Sequence, residues 1–346
     1  MEKKKIRVAI NGFGRIGRAF FRLAYDREEI EVVAVNDLGD IKNLAYLLRH
    51  DSVYKQSEFA VEAFLGEKPT LRINGKDVAF ISQKEPTLLP WGDLEVDVVV
   101  ECTGLFTSFE KAQVHIDAGA KRVVISAPAK DGEESTVKGE TILMGVNEEK
   151  FGTCAITSNA SCTTNAASPI IGILDEAIGI EKAVLSTTHA YTASQSIVDG
   201  PNKKDFREGR AAAQNIVPSS TGAAIAVTKA YPSLSGLFDG ISLRVPVPAG
   251  SIVDITFIAK RNTTKEEVNE ILKKASESQR WSKIFAVSEE PLVSSDILGE
   301  THASIADLEM TRVVGGNLVK ILSWYDNEYS YTNMLVEHAI KTGQSI

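Results

Sequence analysis

Short runs of β-branched residues alternate with amphipathic stretches along the first half of the chain. These runs contain few polar positions, which is typical of parallel strands that are buried on both faces. They predict strands at Ile6–Ile10, Glu31–Val35, Asp97–Glu101 and Arg122–Ser126. The stretches between them predict helices at Gly14–Tyr25, Ile41–Leu48 and Phe109–Ala118. Strands that alternate with helices indicate an α/β fold with a doubly wound parallel sheet.

The pattern changes after about residue 150. Apolar residues at helical spacing follow Ser161 and predict a helix, which Pro169 is expected to kink or offset. Longer apolar runs then predict strands at Lys182–Thr188, Gly240–Val247, Ile252–Ala259 and Leu318–Trp324. They indicate a second, α+β domain with a large mixed or antiparallel sheet. Glu328–Thr342 predicts a terminal helix.

A glycine motif lies directly after the first predicted strand and opens the first helix. Its glycines, Gly12, Gly14 and Gly17, have the spacing GxGxxG. Such glycines permit a tight turn and a close approach of the backbone to a pyrophosphate at a helix N-terminus. Asp37 ends the next strand twenty residues after Gly17, where a carboxylate would bind the adenosine ribose. This carboxylate repels a 2′-phosphate, so the motif predicts NAD rather than NADP as the cofactor.

Composition and charge exclude several classes of protein. The chain has 346 residues, of which 43% are hydrophobic and 24% charged, which argues against disorder. The formal net charge of −8 gives no general attraction to nucleic acid or to an anionic membrane. No apolar run approaches the roughly 18 residues of a membrane span, and we expect a cytoplasmic protein. The cysteines number three and show no metal-ligand spacing, which argues against a disulfide framework and against a metal site.

A second cluster of candidate residues surrounds Cys162, in the block Ser158–Asn165. Here a cysteine stands at the predicted N-terminus of a helix, and the helix dipole together with a protonated imidazole would lower the pKa of its thiol. Cys102 and Cys154 lack this setting and are interpreted as small buried residues. His189 ends a predicted strand and is the candidate base.

At this point the chain resembles the phosphorylating, glycolytic type of glyceraldehyde-3-phosphate dehydrogenase. The resemblance covers nearly the whole chain. Its motifs stand in order at Asn11–Arg18, Ser158–Asn165, His189–Thr192, Pro218–Ala224, Arg244–Pro246 and Trp324–Glu328.

The resemblance implies a role for each matching residue. Cys162 is the nucleophile and His189 the general base. Thr192 and Arg244 bind the phosphate group of the substrate, and inorganic phosphate is bound by Ser161, Thr163, Thr221 and Gly222. The expected NAD-binding residues are Gly12, Gly14, Arg15, Ile16, Gly17, Asp37, Lys84, Thr103, Ser126 and Asn327, the last of these at the nicotinamide carboxamide. Tyr331 is expected to pack beside the catalytic histidine.

The same resemblance implies the reaction and the architecture. We expect NAD-dependent oxidation of D-glyceraldehyde 3-phosphate, with inorganic phosphate, to 1,3-bisphosphoglycerate through a cysteine hemithioacetal and a thioester. A Rossmann domain is expected at 1–161 plus 326–346, and a catalytic domain at 162–325, in a homotetramer. One alternative is erythrose-4-phosphate dehydrogenase, whose members usually lack the Tyr-Thr after the histidine that this chain keeps. An alternative from another class is an NAD-sensing regulatory protein with a silent site, against which the intact Cys162 and His189 argue.

Two of the positions at which the chain departs from the family pattern bear on the predicted chemistry. Ala166 replaces a second cysteine that many members have four residues after the nucleophile, so that residue is not essential to the reaction. Glu208 is unusual in the family and lies in the segment Phe206–Arg210, where many bacterial members have an arginine pair. An acid beside a phosphate pocket opposes the charge of the ligand.

Overall fold

The computed structural model describes residues 4–130, 135–203 and 205–346. Its strands are β1 (Ile6–Asn11), β2 (Ile30–Asn36), β3 (His50–Asp51), β4 (Lys55–Gln56), β5 (Val61–Phe64), β6 (Thr70–Ile73), β7 (Lys76–Ile81), β8 (Val98–Glu101), β9 (Arg122–Ile125), β10 (Gly139–Thr141), β11 (Ile156–Ser158), β12 (Ile180–Ala190), β13 (Val217–Ser220), β14 (Phe238–Val245), β15 (Ser251–Ala259), β16 (Phe285–Ser288), β17 (Ser304–Val314) and β18 (Leu318–Tyr325). Its helices are α1 (Arg15–Ala24), α2 (Ile41–Arg49), α3 (Phe109–Asp117), α4 (Cys162–Ile178), α5 (Ala223–Ala230), α6 (Lys265–Ser276) and α7 (Tyr329–Gln344).

The described residues divide into two compact units. The first contains the chain up to Ile142, Glu148–Ala160 and Thr332–Ile346, and the second contains Leu143–Asn147 and Ser161–Tyr331. The sequence boundaries at 161/162 and 325/326 therefore differ slightly from these divisions. One division lies within α7, because the first turn of that helix belongs to the second unit and the rest to the first.

The first unit is built on a sheet with the order β10-β11-β9-β8-β1-β2-β7-β6-β5. The strands from β10 to β7 run parallel, and β6 and β5 form an antiparallel edge. The four strands predicted in the first half all lie in the parallel part. Their apolar residues are almost completely buried, as Val8, Ile10 and Val99 show, because helices cover both faces of such a sheet. The parallel α/β prediction is confirmed.

The second unit is built on a mixed sheet with the order β13-β14-β12-β15-β18-β17-β16. Strand β12 runs parallel to β14 and antiparallel to β15, and the register places His189 directly opposite Arg244. The four predicted strands are β12, β14, β15 and β18, so the prediction of a large mixed sheet is confirmed. Strand β17 was not predicted, since polar residues interrupt the apolar pattern of its sequence.

Helix α4 carries Cys162 as its first residue and continues through Pro169 without a break. Proline cannot donate the backbone hydrogen bond that residue 165 would otherwise accept. The hydroxyl of Ser168 donates to the Asn165 carbonyl instead, at 3.5 Å. In the described part of the chain, none of the helices has the length and apolar character needed to cross a membrane.

Candidate active site

The glycine motif forms a turn that side chains would block. Gly12 has φ +94°, and a Cβ there would lie 2.7 Å from the backbone nitrogen of Thr103. A Cβ on Gly17 would collide with the carbonyl oxygen of Gly12, whereas a Cβ on Gly14 would point into open space. Gly14 caps α1, whose first backbone N–H groups therefore have no side-chain acceptor from the cap. This turn fits the pyrophosphate of a dinucleotide.

Asp37 lies immediately after β2 and is tied to the glycine turn. Its Oδ2 accepts the backbone N–H of Phe13 at 2.6 Å, and its Oδ1 accepts the N–H of Gly39 at 2.7 Å. The side chain is partly exposed, so each carboxylate oxygen keeps a lone pair for an incoming hydroxyl. These contacts hold the carboxylate in one orientation, as recognition of a ribose requires.

The other predicted cofactor residues divide between the two units. Most of them follow the carboxyl ends of parallel strands in the first unit: Arg15 and Ile16 at the start of α1, Lys84 after β7, Thr103 after β8 and Ser126 after β9. Arg15 is paired with Asp51 at 3.0 Å, and Lys84 is exposed. Asn327 belongs to the second unit.

Sequence reasoning missed a buried carboxylate below the glycine turn. Glu101 is 1% exposed and accepts hydrogen bonds from Asn11 Nδ2 at 2.6 Å, from the backbone N–H and hydroxyl of Thr103, and from Nε2 of buried His115 at 3.2 Å. Trp91 donates to the other ring nitrogen of His115, which leaves the Nε2 proton for Glu101. The sequence signal for this buried carboxylate was the position of Glu101 at the end of an apolar run.

Cys162 begins α4 two residues after a left-handed residue. Ala160 has φ +55°, a conformation that favours glycine, and Ser161 then caps the helix by accepting the N–H of Thr164 at 3.1 Å. The thiol of Cys162 lies 3.4 Å from Nε2 of His189. The structure therefore brings the two predicted catalytic residues, which are 27 positions apart in the sequence, into contact.

His189 is held by backbone and side-chain groups of the second sheet. Its Nδ1 lies 2.6 Å from the oxygen of Ala190 and 2.5 Å from Nη1 of Arg244. The ring of Tyr325 meets it edge to face, with the centroids 6.0 Å apart. Tyr325 is thus an aromatic partner of the histidine that was not predicted, and the packing of Tyr331 beside it stays a prediction. Every second residue of β18 is buried up to Tyr325, and this alternation was the available signal.

The pKa shifts bear on one prediction about this pair. Burial raises the pKa of the Cys162 thiol, although the charge of Arg244 and hydrogen bonds at the start of the helix act in the opposite direction. Burial, and then the charge of Arg244, lower the pKa of His189 to about 3. Burial therefore acts against the predicted lowering of the thiol pKa by the helix start and by a protonated imidazole. Burial also raises the pKa of Cys102, to about 12.

The predicted phosphate-binding residues all lie in the second unit. The hydroxyl of Thr163 is bonded to Tyr325 at 2.9 Å, and that of Thr192 to Ser194 at 3.1 Å. Gly222 caps α5, and the hydroxyl of Thr221 accepts the N–H of Ala223 at 3.2 Å. The hydroxyl groups of Thr163 and Thr221 therefore lie at the N-termini of α4 and α5, that of Thr192 follows β12, and their assignment to a phosphate stays a prediction.

Ser251 was not predicted and connects two parts of the site. Its hydroxyl accepts the N–H of Ala190 at 3.2 Å and donates to Oδ1 of Asn327 at 3.1 Å. Oδ1 of Asn327 also accepts the N–H of Gly250 at 3.0 Å. The Asn327 amide is therefore oriented with its oxygen inward, which leaves its NH₂ group to donate to a ligand.

Comparisons with known proteins agree with this geometry. The profile of the glyceraldehyde 3-phosphate dehydrogenase NAD-binding domain matches residues 6–109, and that of the C-terminal domain matches residues 161–327. The chain is 48% identical over 334 residues to a glyceraldehyde-3-phosphate dehydrogenase of Thermotoga maritima, covering 96% of this chain and 97% of the relative. It is 46% identical over 344 residues to glyceraldehyde-3-phosphate dehydrogenase 2 of Streptomyces avermitilis, covering 99% of both.

Proposed function

The chain belongs to the glyceraldehyde-3-phosphate dehydrogenase family, and from this premise we propose that Cys162 and His189 carry out its activity, the NAD-dependent oxidation of glyceraldehyde 3-phosphate. The observation that carries the proposal is the 3.4 Å contact between the thiol at the start of α4 and Nε2 of the histidine. Such a pair of nucleophile and base is what addition of a thiol to a carbonyl requires.

The proposed reaction first oxidises the aldehyde to a thioester on Cys162 and then transfers the acyl group to phosphate. Cys162 Sγ adds to the aldehyde carbon as its proton passes to His189 Nε2, and His189 then returns that proton to the former carbonyl oxygen to give a hemithioacetal. His189 then accepts the hydroxyl proton in the oxidation step, which leaves a thioester on Cys162. The chemistry that bound NAD supplies is acceptance of the hydride. Inorganic phosphate attacks the thioester carbon, the Cys162 thiolate leaves, and 1,3-bisphosphoglycerate is released.

The residues present fit the cofactor. Gly12 and Gly17 permit the tight turn, Gly14 faces open space at the start of α1 where a pyrophosphate would bind, and Asp37 offers oriented acceptors to a ribose. The inward oxygen of Asn327 leaves its NH₂ group to bind the carbonyl of the nicotinamide carboxamide. We assign 1–161 plus 326–346 to cofactor binding and 162–325 to catalysis.

Thr192 and Arg244 are assigned to the phosphate group of the substrate, and Ser161, Thr163, Thr221 and Gly222 to inorganic phosphate. Stopped-flow measurement of NADH with and without phosphate tests this. We expect a phosphate-independent burst, because acylation of Cys162 needs no phosphate, followed by turnover only when phosphate is present. Cys162→Ser is the control and should show neither phase.

The same experiment discriminates against erythrose-4-phosphate dehydrogenase. In that reaction water removes the acyl group, so turnover would continue without phosphate. Sustained NADH production in phosphate-free buffer, with erythrose 4-phosphate as the better substrate, would contradict our assignment. A protein that binds NAD but shows no burst with either aldehyde would instead be a cofactor sensor with a silent site.

We also propose that the protein is a homotetramer. Support comes from large apolar side chains that protrude from the second unit, of which Phe206 is 88% exposed, Ile197 82% and Val198 73%. Such a patch is typical of a protein–protein interface. Light scattering should give a mass of four chains, and Phe206→Asp should reduce it.

A cytoplasmic location follows from the chemistry of the nucleophile. The cysteines that the structure describes, Cys102, Cys154 and Cys162, are all unpaired. Cys162 acts only as a reduced thiol, which the cytosol maintains and an oxidising compartment does not. The proposed small-molecule partners are glyceraldehyde 3-phosphate, NAD and inorganic phosphate, and the net charge of −8 offers no general attraction to nucleic acid or to an anionic membrane.

A further inference from the structure

Four buried polar side chains form a row across the carboxyl edge of the first sheet. They come from α3 and from the ends of β8, β1 and β2, and in spatial order they are His115, Glu101, Asn11 and Asn36. The sheet register pairs Asn11 with Glu101 on one side and with Asn36 on the other, so three adjacent strands contribute at one level. These four residues are called the polar row below.

The hydrogen bonds along the polar row all point toward Glu101. On one side Trp91 donates to His115 Nδ1 at 3.3 Å, and the Nε2–H of His115 donates to Glu101 Oε2 at 3.2 Å. On the other side Asn36 donates to Asn11 Oδ1 at 2.7 Å, and Asn11 Nδ2 donates to Glu101 Oε2 at 2.6 Å. A carboxylate only accepts hydrogen bonds, so Glu101 is the group on which both halves of the row converge.

Backbone groups fix the orientation of the two amides. Asn36 Oδ1 accepts the N–H of Gln83 at 2.9 Å, and its Nδ2 donates to the oxygen of Gln83 at 3.1 Å. The second proton on Nδ2 of Asn36 therefore serves Asn11 Oδ1, and the Nδ2 of Asn11 must face Glu101. Turning either amide over would place two donors or two acceptors against each other.

The segments that the polar row connects are those assigned to the cofactor. Three residues bonded in or to the row directly precede a predicted cofactor residue: Asn11 before Gly12, Asn36 before Asp37, and Gln83 before Lys84. The fourth segment follows β8, where Glu101 Oε1 accepts the backbone N–H of Thr103 at 2.7 Å and also its hydroxyl. That backbone nitrogen is the atom that a Cβ on Gly12 would approach to 2.7 Å. Glu101 therefore holds the loop after β8 directly against the glycine turn.

We propose that Glu101 is a positioning residue for NAD, which through the polar row keeps the four cofactor-binding segments at the spacing that the adenosine and pyrophosphate half of the dinucleotide requires. Glu101 is 1% exposed, so it acts through its partners. Segments that are already in place need less ordering when the ligand binds, and this increases the affinity. The inference rests on the proposed function in one respect, the assignment of these segments to NAD.

Binding of ADP-ribose, which lacks the nicotinamide, tests the proposal without an aldehyde. Glu101→Gln keeps the size of the side chain, but its NH₂ group cannot accept hydrogen bonds as the carboxylate oxygen does. The Kd for ADP-ribose, measured by calorimetry, should rise by at least roughly tenfold. Loss of an outer partner of a metal ligand has a comparable effect, of about ten- to a hundredfold. The KM for NAD should rise by the same factor, whereas kcat at saturating NAD should stay within about twofold, because the binding that is lost is uniform through the reaction.

Asp97→Asn is the matched control, at the opposite end of β8. Asp97 is also buried and accepts the N–H of Arg7 at 2.9 Å and Nζ of Lys121 at 2.7 Å. It stands four positions before Glu101, or about 13 Å along the strand. This variant should lower the Tm and leave the Kd for ADP-ribose unchanged. The same result for Glu101→Gln, a lower Tm with an unchanged Kd, would mean a merely structural role and would overturn the proposal.

A double-mutant cycle with Asn36→Ala tests whether the polar row acts as a unit. Asn11 lies between Asn36 and Glu101 and is bonded to both. If the row transmits position, the double variant should bind ADP-ribose about as weakly as the weaker single variant, whereas independent effects would multiply. Multiplied effects would contradict the proposal.

The single variant Asn36→Ala keeps the test valid if Glu101→Gln does not fold. It removes the other end of the row and should also raise the Kd for ADP-ribose, and an unchanged Kd would overturn the proposal. Failure of the proposed function alone would appear differently. ADP-ribose binding would then respond to these variants as expected, while the unmutated protein oxidised no aldehyde.

Discussion

The preference for NAD over NADP provides a quantitative test of the cofactor site. Asp37 Oδ2 accepts the N–H of Phe13 at 2.6 Å and Oδ1 accepts that of Gly39 at 2.7 Å, so the carboxylate is fixed with one lone pair free on each oxygen. A hydrogen bond from a ribose hydroxyl to such a charged acceptor is worth about 1.5–3 kcal/mol. A 2′-phosphate replaces that donor with a like charge. We therefore expect NAD to be preferred by at least roughly tenfold, or about 1.4 kcal/mol.

Asp37→Ala should reduce this preference mainly by weakening NAD, since the ribose hydroxyl loses its acceptor and the N–H of Phe13 loses the bond that fixes the turn. Asp40→Asn is the matched control. It removes the same charge three residues away, and its amide oxygen can still accept the N–H of Asn43 that caps α2. This control should leave the preference unchanged.

The assay is kcat/KM for both cofactors, measured at low and at high salt. Salt screens a charge repulsion but has little effect on a direct hydrogen bond, so the two contributions of Asp37 can be separated. Comparable efficiency with NAD and NADP in the unmutated protein would refute the assignment. A change of the same size in Asp40→Asn would show that the general field, and not the contact, determines the preference.

Three further predictions concern the second unit. Cys162→Ser should abolish oxidation but leave the Kd for NAD unchanged, and serine at either of the other two cysteines should leave activity intact; loss of activity in all three variants would contradict the assignment. Glu208 is half-buried and accepts a hydrogen bond from the Ser219 hydroxyl at 3.2 Å. If the carboxylate of Glu208 repels bound phosphate, Glu208→Gln should lower the KM for phosphate. The change should be at most about fivefold, because an interaction between two solvated charges is worth about 0–1 kcal/mol. An unchanged KM would place Glu208 outside the pocket. His302 donates to Glu300 and to a backbone oxygen, and its pKa is raised by the bond to Glu300. The protonated imidazole of His302 therefore stabilises the folded protein at pH values below the pKa of this residue in the unfolded chain, and this stabilisation is lost as the pH rises through its higher pKa in the folded protein. The Tm should consequently fall more between about pH 6 and about pH 8 in the unmutated protein than in His302→Gln. Equal falls in the two proteins would refute this.

The pattern of residues along the chain was enough to predict the elements that consist of one class of side chain. Buried parallel strands need unbroken β-branched runs, so β1, β2, β8 and β9 were predicted within one or two residues. The glycine turn and the start of α4 at Cys162 were also local, because backbone conformation and helix capping depend on a few neighbouring residues. The antiparallel edge β5–β6 and strand β17 were not predicted, since their mixed polar and apolar positions resemble those of loops.

The tertiary structure alone decided how the reactive groups affect one another. Sheet register places Arg244 beside His189, although 55 positions separate them in the sequence, and the end of β18 brings Tyr325 to the ring. Burial raises the pKa of Cys162, where a helix N-terminus on its own predicted the reverse. Desolvation and hydrogen bonding act over a few ångströms in space, and a linear pattern does not encode those distances. The sequence therefore indicated the candidate reactive residues, and the packing determined their partners and the direction of their pKa shifts.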